Sequence, residues 1–539
     1  MSASRQVAVI GGGISGLATA ALLARDGHRV DLYEAAETVG GRAGSWEEAG
    51  FRFDTGPSWY LMPEVFDHFF ALMGTSAARE LDLVDLDPAY RVFSEGHEAF
   101  DVRSGREAAA ALFESLEPGS GPAILEYLSS AQDAYDLAVG RFLYDPYTSL
   151  QGLRDPELLR RLPQLAPLLT GTLAGHVDQR FTDQRLRHVL GYPAVFLGGS
   201  PYAVPSLYHL MSHLDLGDRV SYPLGGMTTI IAAIERLARG AGVRIHTRSE
   251  VTRIESAGTQ VTGLRVRQRR RGEPLGAHTD GEHFVAAETI ISTGDLHATE
   301  TRLLPPHLRS RSEKWWDART PSPGALLLML GVRGDLGELG HHSLLFRSDW
   351  REGFEAIFDP EQSGPDSVPH PASLYVCRPS ATDPSVAPAG HENLFVLVPV
   401  PADTSIGRGG DEAVEQLADE VVSQISEWCG IPDLAERIVV RRTVAPGDFA
   451  ADLGAWRGNA LGLSHTLAQS AVFRPRNESS RAKGLYFAGA DVLPGIGMPM
   501  CLISAELVLK RIRGDKSAGP LPSEASSPVV AAATSDRAG

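Results

Sequence analysis

Lysine is almost missing from this chain of 539 residues: it stands only at Lys314, Lys483, Lys510 and Lys516. Cysteine is rarer still, at Cys377, Cys429 and Cys501, far apart and without a C-x-x-C pair. Histidines do not fall at zinc-site spacing around them, so no metal centre is expected. Three isolated thiols read instead as small buried hydrophobes in a reducing compartment. A surplus of positive charge is absent as well: the net charge of -17 excludes nucleic acid as a partner, which requires a basic surface. No apolar run approaches the ~18–20 residues of a bilayer-spanning helix. The opening MSASRQVAVIGGG enters a strand pattern at once, leaving no room for a charged n-region and an apolar h-region. Together these absences predict a cytoplasmic chain. Any membrane contact is peripheral, and net acidity does not exclude it.

What is present is globular: 43% hydrophobic and 22% charged residues, in a chain too long for one ordinary core. The most informative stretch is QVAVIGGGISGLATAALLARDGHRVDLYEA. Val7 to Ile10 is a short buried-strand run, and Gly11, Gly13 and Gly16 follow as G-x-G-x-x-G. Leu17, Ala20, Leu22 and Leu23 then keep helical spacing up to Gly27, a C-cap, and a second strand ends at Glu34. Each part has a physical task. Gly11 permits the tight turn, Gly13 lets a pyrophosphate approach the backbone, and Gly16 lets helix and strand pack closely. The helix start offers unpaired N–H groups to phosphate. Glu34 can accept hydrogen bonds from a ribose diol and would repel a 2′-phosphate, which disfavours NADP but leaves FAD and NAD open. Ser15 and Ala35 belong to the same candidate set.

TVGGRAGSW then places Gly40, Gly41 and Arg42 after the second strand, where Arg42 can neutralise a pyrophosphate. GFRFDTGPSWY leads a further strand into Asp54–Trp59. In this order the two segments resemble the FAD-binding start of the flavin amine oxidase and carotenoid desaturase superfamily. The resemblance implies that the GGR segment touches the phosphates and that Gly56, Pro57 and Ser58 lie beside the isoalloxazine.

From about Met62 to Tyr222 the apolar spacing of three and four predicts a largely helical region, with aromatic and branched residues suited to an apolar channel or lid. Gly225-Gly226-Met227 starts a helix that returns to the nucleotide unit through a strand at Val243–His246 and a hairpin beginning at Val251. PGALLLMLGVRGDL and ASLYVC predict a second, substrate-side sheet, and the final small, polar residues a disordered tail. No internal repeat is visible.

YVCRPSATDPSVAPAGHENLFVLVPV, GNALGLSHTLAQSAVFRPRN and LYFAGADVLPGIGMPMCLISAE extend the likeness across nearly the whole chain. With them the sequence resembles the bacterial-type phytoene desaturases, FAD-dependent carotenoid dehydrogenases. One departure is STGDL, with Thr293 and Gly294 where relatives often carry an S-N-A-D-like run. The resemblance implies an α/β fold: a Rossmann-like FAD-binding domain, a discontinuous α+β substrate domain and a helical, membrane-facing region. The expected boundaries are 1–75, 223–300 and 446–513 for the FAD domain, 76–222 for the helical region, 301–445 for the substrate domain and 514–539 for the tail.

The backbone at Val251 is expected to meet adenine, Gly294 the dinucleotide, and Asp491 the ribitol. Gly497 and Met498 start a helix whose N–H groups face the flavin. The implied substrate is a polyene hydrocarbon, phytoene or a related carotenoid, desaturated by hydride transfer to flavin N5, in several steps towards lycopene. No Ser-His-Asp set or carboxylate pair stands out, so no catalytic side chain is assigned, and His297 and His465 read as structural. Oxygen or a quinone is the expected electron acceptor, since only one Rossmann fingerprint is present. A flavin amine oxidase or porphyrinogen oxidase, a carotene isomerase and a non-catalytic flavoprotein are the alternatives. An amine oxidase site often uses a lysine-bridged water, and no lysine here falls in an obvious flavin-facing run.

Overall fold

The structure is a computed structural model that describes residues 4–148, 163, 165–270, 273, 275–276, 281–359 and 361–523. Its organising element is a five-stranded parallel sheet in the order Leu485–Phe487, Thr289–Ser292, Gln6–Ile10, Arg29–Tyr33, Arg244–His246. Val9 sits between Ile291 and Leu32 in register, and both faces of these strands are covered. That is why they read as unbroken apolar runs rather than alternating ones. The helix Ile14–Arg25 lies on the sheet with every residue from Ile14 to Leu23 buried. Its alanines let the helices Thr228–Gly240 and Met498–Arg513 pack closely against it. Each fully buried leucine there contributes about 1.5–3 kcal/mol. The helix stops where the sequence says: Gly27 takes φ +92° and its N–H donates to the Ala24 carbonyl.

A second sheet of seven strands runs in the order Ile438–Val444, Gly324–Arg333, His391–Val400, Leu374–Cys377, His342–Phe346, Tyr90–Ser94, Phe100–Val102. Its last two strands correct the expectation of a largely helical 62–222. Tyr90–Ser94 pairs in parallel with His342–Phe346, some 250 residues away in sequence, a partner no local pattern reveals. The long helices Pro63–Leu72, Arg106–Leu116 and Ser120–Ala138 do occupy that region. A three-stranded antiparallel sheet, Ser249–Ala257, Gln260–Gln268 and His283–Ala286, stands beside the parallel sheet.

The expected tail needs correcting in its described part. Residues 514–523 fold back on the last helix, with the Leu521 N–H donating to Glu506 Oε1 at 2.6 Å; the rest of that segment lies outside the described residues. Cys377, Cys429 and Cys501 are free and buried. No helix among the described residues is long and apolar enough to cross a membrane.

Candidate functional site

Three glycine-bearing segments, separate in sequence, pack into one unit at the carboxyl ends of the first two strands. In the first turn Gly11 holds φ +95°, and a Cβ on Gly16 would stand 2.0 Å from the Gly11 carbonyl oxygen. Gly16 thus closes the turn from behind and does not itself line the cavity described below. The GGR segment is fastened to this turn by the Gly40 N–H, which donates to the Gly12 carbonyl at 2.9 Å. The segment around Gly56 crosses the GGR segment: a Cβ on Gly56 would lie 2.1 Å from the Arg42 carbonyl oxygen. Asp54, half-buried just before it, accepts from the Met227 and Thr228 N–H groups at 2.8 and 3.1 Å. Burial pushes its carboxyl up to about 6.

Two charged side chains border this unit. Glu34 accepts from the Gly12 N–H at 2.6 Å and the Ala36 N–H at 2.7 Å. Arg42 has Nε and Nη2 buried, with no hydrogen-bond partner among the described residues. A guanidinium held that way calls for an anion.

A cavity of about 1140 Å³ opens from here. The structure brings Gly11, Gly13, Ser15, Glu34, Ala35, Gly41, Arg42, Gly56, Pro57, Ser58, Val251, Gly294, Gly497 and Met498 into its wall. Asp491 is not itself among the lining residues, though its neighbours Gly489 and Ala490 are; its oxygens accept from the Leu296 N–H (3.1 Å) and the Leu463 N–H (3.2 Å). It sits in the turn beyond the strand Leu485–Phe487 and braces loops around the site.

Beyond the glycine unit the walls turn apolar. Leu327, Leu344, Phe346 and Leu397 come from the seven-stranded sheet, and Phe142, Leu207 and Met211 from the helical region. Leu467 and Phe473 line the same cavity yet are 44% and 64% exposed, so its mouth is apolar at the surface.

Sequence reading named Ser58 and His465 but passed over the other polar groups set into these walls. Ser58 Oγ, Tyr375 Oη and His342 Nδ1 form a chain with spacings of 2.8 and 2.7 Å, and Trp59 stacks on the His342 ring at 4.1 Å. His465 lines the cavity. Its Nε2 accepts from the Ile496 N–H, so Nδ1 carries the proton toward Tyr208 Oη at 2.7 Å. Burial holds that imidazole neutral, its pKa well below the ordinary value. Asp295 also lines the cavity, its carboxyl pushed up by burial and then by the Asp491 carboxylate nearby. Only strand pairing tells which of these faces inward; Tyr375, for example, is fixed by its register with Leu344 and Leu397. His297 packs edge-on against Trp316. None of the four lysines lines the cavity. Fully buried Arg474 donates to the carbonyls of Leu463, Gln469, Ala490 and Val492, clamping the loop that leads to Gly497.

Comparison with known proteins supplies the context. Residues 14–512 match the family described as flavin containing amine oxidoreductase. The chain is 41% identical over 500 residues to a carotenoid 3,4-desaturase of Haloarcula japonica, covering 93% of this chain and 96% of that protein. It is 35% identical over 520 residues to a zeta-carotene-forming phytoene desaturase of Myxococcus xanthus, covering 95% of each. Among solved structures, putrescine oxidase bound to putrescine superposes with a TM-score of 0.57 at 15% identity, over 95% of this chain and 99% of that one, a likeness of fold.

Proposed function

The chain belongs to the flavin-containing amine oxidoreductases, and on that premise we propose that it is an FAD-dependent desaturase of carotenoid hydrocarbons. The observation that carries this reading is one cavity that begins at a glycine-and-arginine unit and continues as a lysine-free apolar space. Its volume of about 1140 Å³ exceeds the roughly 300–1,000 Å³ of ordinary small-ligand pockets.

The residues present fit the cofactor. Gly13 and the first turn of the helix Ile14–Arg25, Ser15 included, present backbone N–H groups to a pyrophosphate where the tight turn at Gly11 lets it approach, and the unpartnered Arg42 guanidinium supplies the countercharge. Glu34 and Ala35 take the ribose, and the Val251 main chain takes the adenine edge. Gly41, Gly56, Pro57, Ser58 and Gly294 let the backbone come close. At the other end Gly497, with φ +120°, starts the last helix, where Met498 and Met500 keep free N–H groups on either side of Pro499. Those donors favour negative charge. FAD, when bound, supplies the hydride acceptor.

The protein's remaining work is to hold a hydrocarbon that offers no hydrogen bond, by shape alone, and to exclude water. Charge that develops at an allylic carbon spreads over the polyene, which removes the need for a strong protein base; we assign no catalytic side chain. The exposed Leu467 and Phe473 at the mouth suit extraction of a lipid-borne substrate from a membrane surface. Oxygen or a membrane quinone serves as the electron acceptor.

Anaerobic mixing of the purified flavoprotein with phytoene, with an already conjugated acyclic carotenoid and with an amine tests the reading. Bleaching of the flavin by either polyene supports it. Bleaching by the amine alone overturns it in favour of amine oxidation. The likeness to a 3,4-desaturase at 41% identity favours the conjugated polyene as the better reductant.

A further inference from the structure

A group outside the flavin and substrate contacts stands out behind the cavity wall. His342 and Cys377 are register partners on neighbouring antiparallel strands, and His341 immediately precedes the first of these. Such cross-strand pairs bring side chains face to face. One nitrogen from each ring and Cys377 Sγ lie within 4.8 Å of one another. All three residues are buried, at 6%, 0% and 1% exposure for His341, His342 and Cys377.

The other ring nitrogens are already spoken for. His341 Nδ1 lies 2.7 Å from Thr382 Oγ1, and His342 Nδ1 lies 2.7 Å from Tyr375 Oη. Each hydroxyl fixes the orientation of its ring and leaves Nε2 as the nitrogen open to a ligand. Neither Nε2 has a hydrogen-bond partner among the described residues. Two buried imidazole nitrogens without partners are costly in a dry core. Two imidazoles oriented by outer hydroxyls, with a thiol beside them, match the way proteins build transition-metal sites.

We propose that His341, His342 and Cys377 form a buried binding site for a borderline-soft transition-metal ion of the Zn²⁺ class. On binding, Cys377 loses its thiol proton to solvent and coordinates as thiolate, while each imidazole donates a lone pair; no electron is transferred. The positive charge of Arg378 beside His341 is offset by Glu392 and Asp335 at 3.5 and 3.6 Å. The ion would tie together the two strands from which Tyr375 and the Trp59-stacked His342 shape the cavity wall.

The test uses tag-free, flavin-loaded protein dialysed against Zn²⁺ and then against buffer, with metal measured by plasma mass spectrometry. Zinc stoichiometric with flavin is expected. Replacement by Co²⁺ should give ligand-field absorption to the red of the flavin and a thiolate-to-cobalt charge-transfer band. C377S should abolish that band. T382V, which removes only the outer hydroxyl, should weaken Zn²⁺ affinity by about 10–100-fold. A folded, flavin-loaded wild-type protein that retains no zinc and develops no cobalt bands would overturn the proposal, whatever the variants do. Zinc retained equally by wild type and C377S would overturn it too.

Discussion

Arg42 and Asp215 show how single residues carry the site's electrostatics. Arg42 has a buried guanidinium edge without a partner beside the glycine unit. Hydrogen bonds to charged groups are worth about 1.5–3 kcal/mol, so Arg42→Met should weaken flavin binding roughly tenfold to a hundredfold with the fold intact. Flavin per protein after gel filtration measures this, and an unchanged ratio would remove Arg42 from the phosphate site. Asp215 lies behind the cavity liner Tyr192, and its Oδ2 accepts from the Tyr192 and Tyr90 hydroxyls at 2.7 and 3.1 Å. Burial pushes its carboxyl up from 3.8 to about 7 despite those bonds. The folded state therefore binds this proton more tightly than the unfolded chain does. Its contribution is full below the unfolded value of 3.8 and is lost as pH rises through about 7. Asp215→Asn should flatten the fall in Tm over that window, read by calorimetry at several pH values. An unchanged slope would assign the pH dependence to other groups.

Among the elements, the last helix does the most. Met498–Arg513 starts at the cavity, packs on the first helix and, through Lys510, straps two distant segments. Lys510 Nζ is wholly buried and donates to the carbonyls of Tyr144, Ser517 and Gly519, with Glu506 at 3.9 Å. Burial lowers its pKa. Glu506 in turn pairs with His68 at 2.8 Å and accepts from the Leu521 N–H. Breaking a buried pair by removing one partner costs about 3–5 kcal/mol. Lys510→Met should lose stability of that order in urea titration and expose residues 514–523 to proteolysis. A neutral effect would make the strap incidental. The apolar spacing of this helix was legible in the sequence. The strap was not, because a chemically polar lysine near the end of the chain reads as solvated.

At the scale of the whole molecule, the cavity joins the two sheets to the surface through an apolar mouth. Burying two such side chains at about 1.5–3 kcal/mol each is enough for reversible docking. Leu467→Asp with Phe473→Asp should reduce flotation with liposomes at least tenfold while leaving bound flavin unchanged. Equal flotation, or none by the wild type, would overturn docking at this mouth. The same scale explains which expectations needed correction. The strand Tyr90–Ser94 was hidden in a region of helical spacing because its partner is far away in sequence.

The sequence by itself determined the nucleotide half of this protein. A turn that tolerates only glycine, a helix start and a terminal acid are local requirements, satisfied by residues within about 30 positions of one another, so their spacing is visible in one dimension. It also settled the scarcity of lysine; that none of the four lines the cavity was decided by the fold. Tertiary structure alone decided which polar side chains enter the apolar walls, that Lys510 is buried, and that His341, His342 and Cys377 converge. Those facts depend on strand register and long-range packing, where one residue's shift turns a side chain to the opposite face. No spacing along the chain encodes that choice.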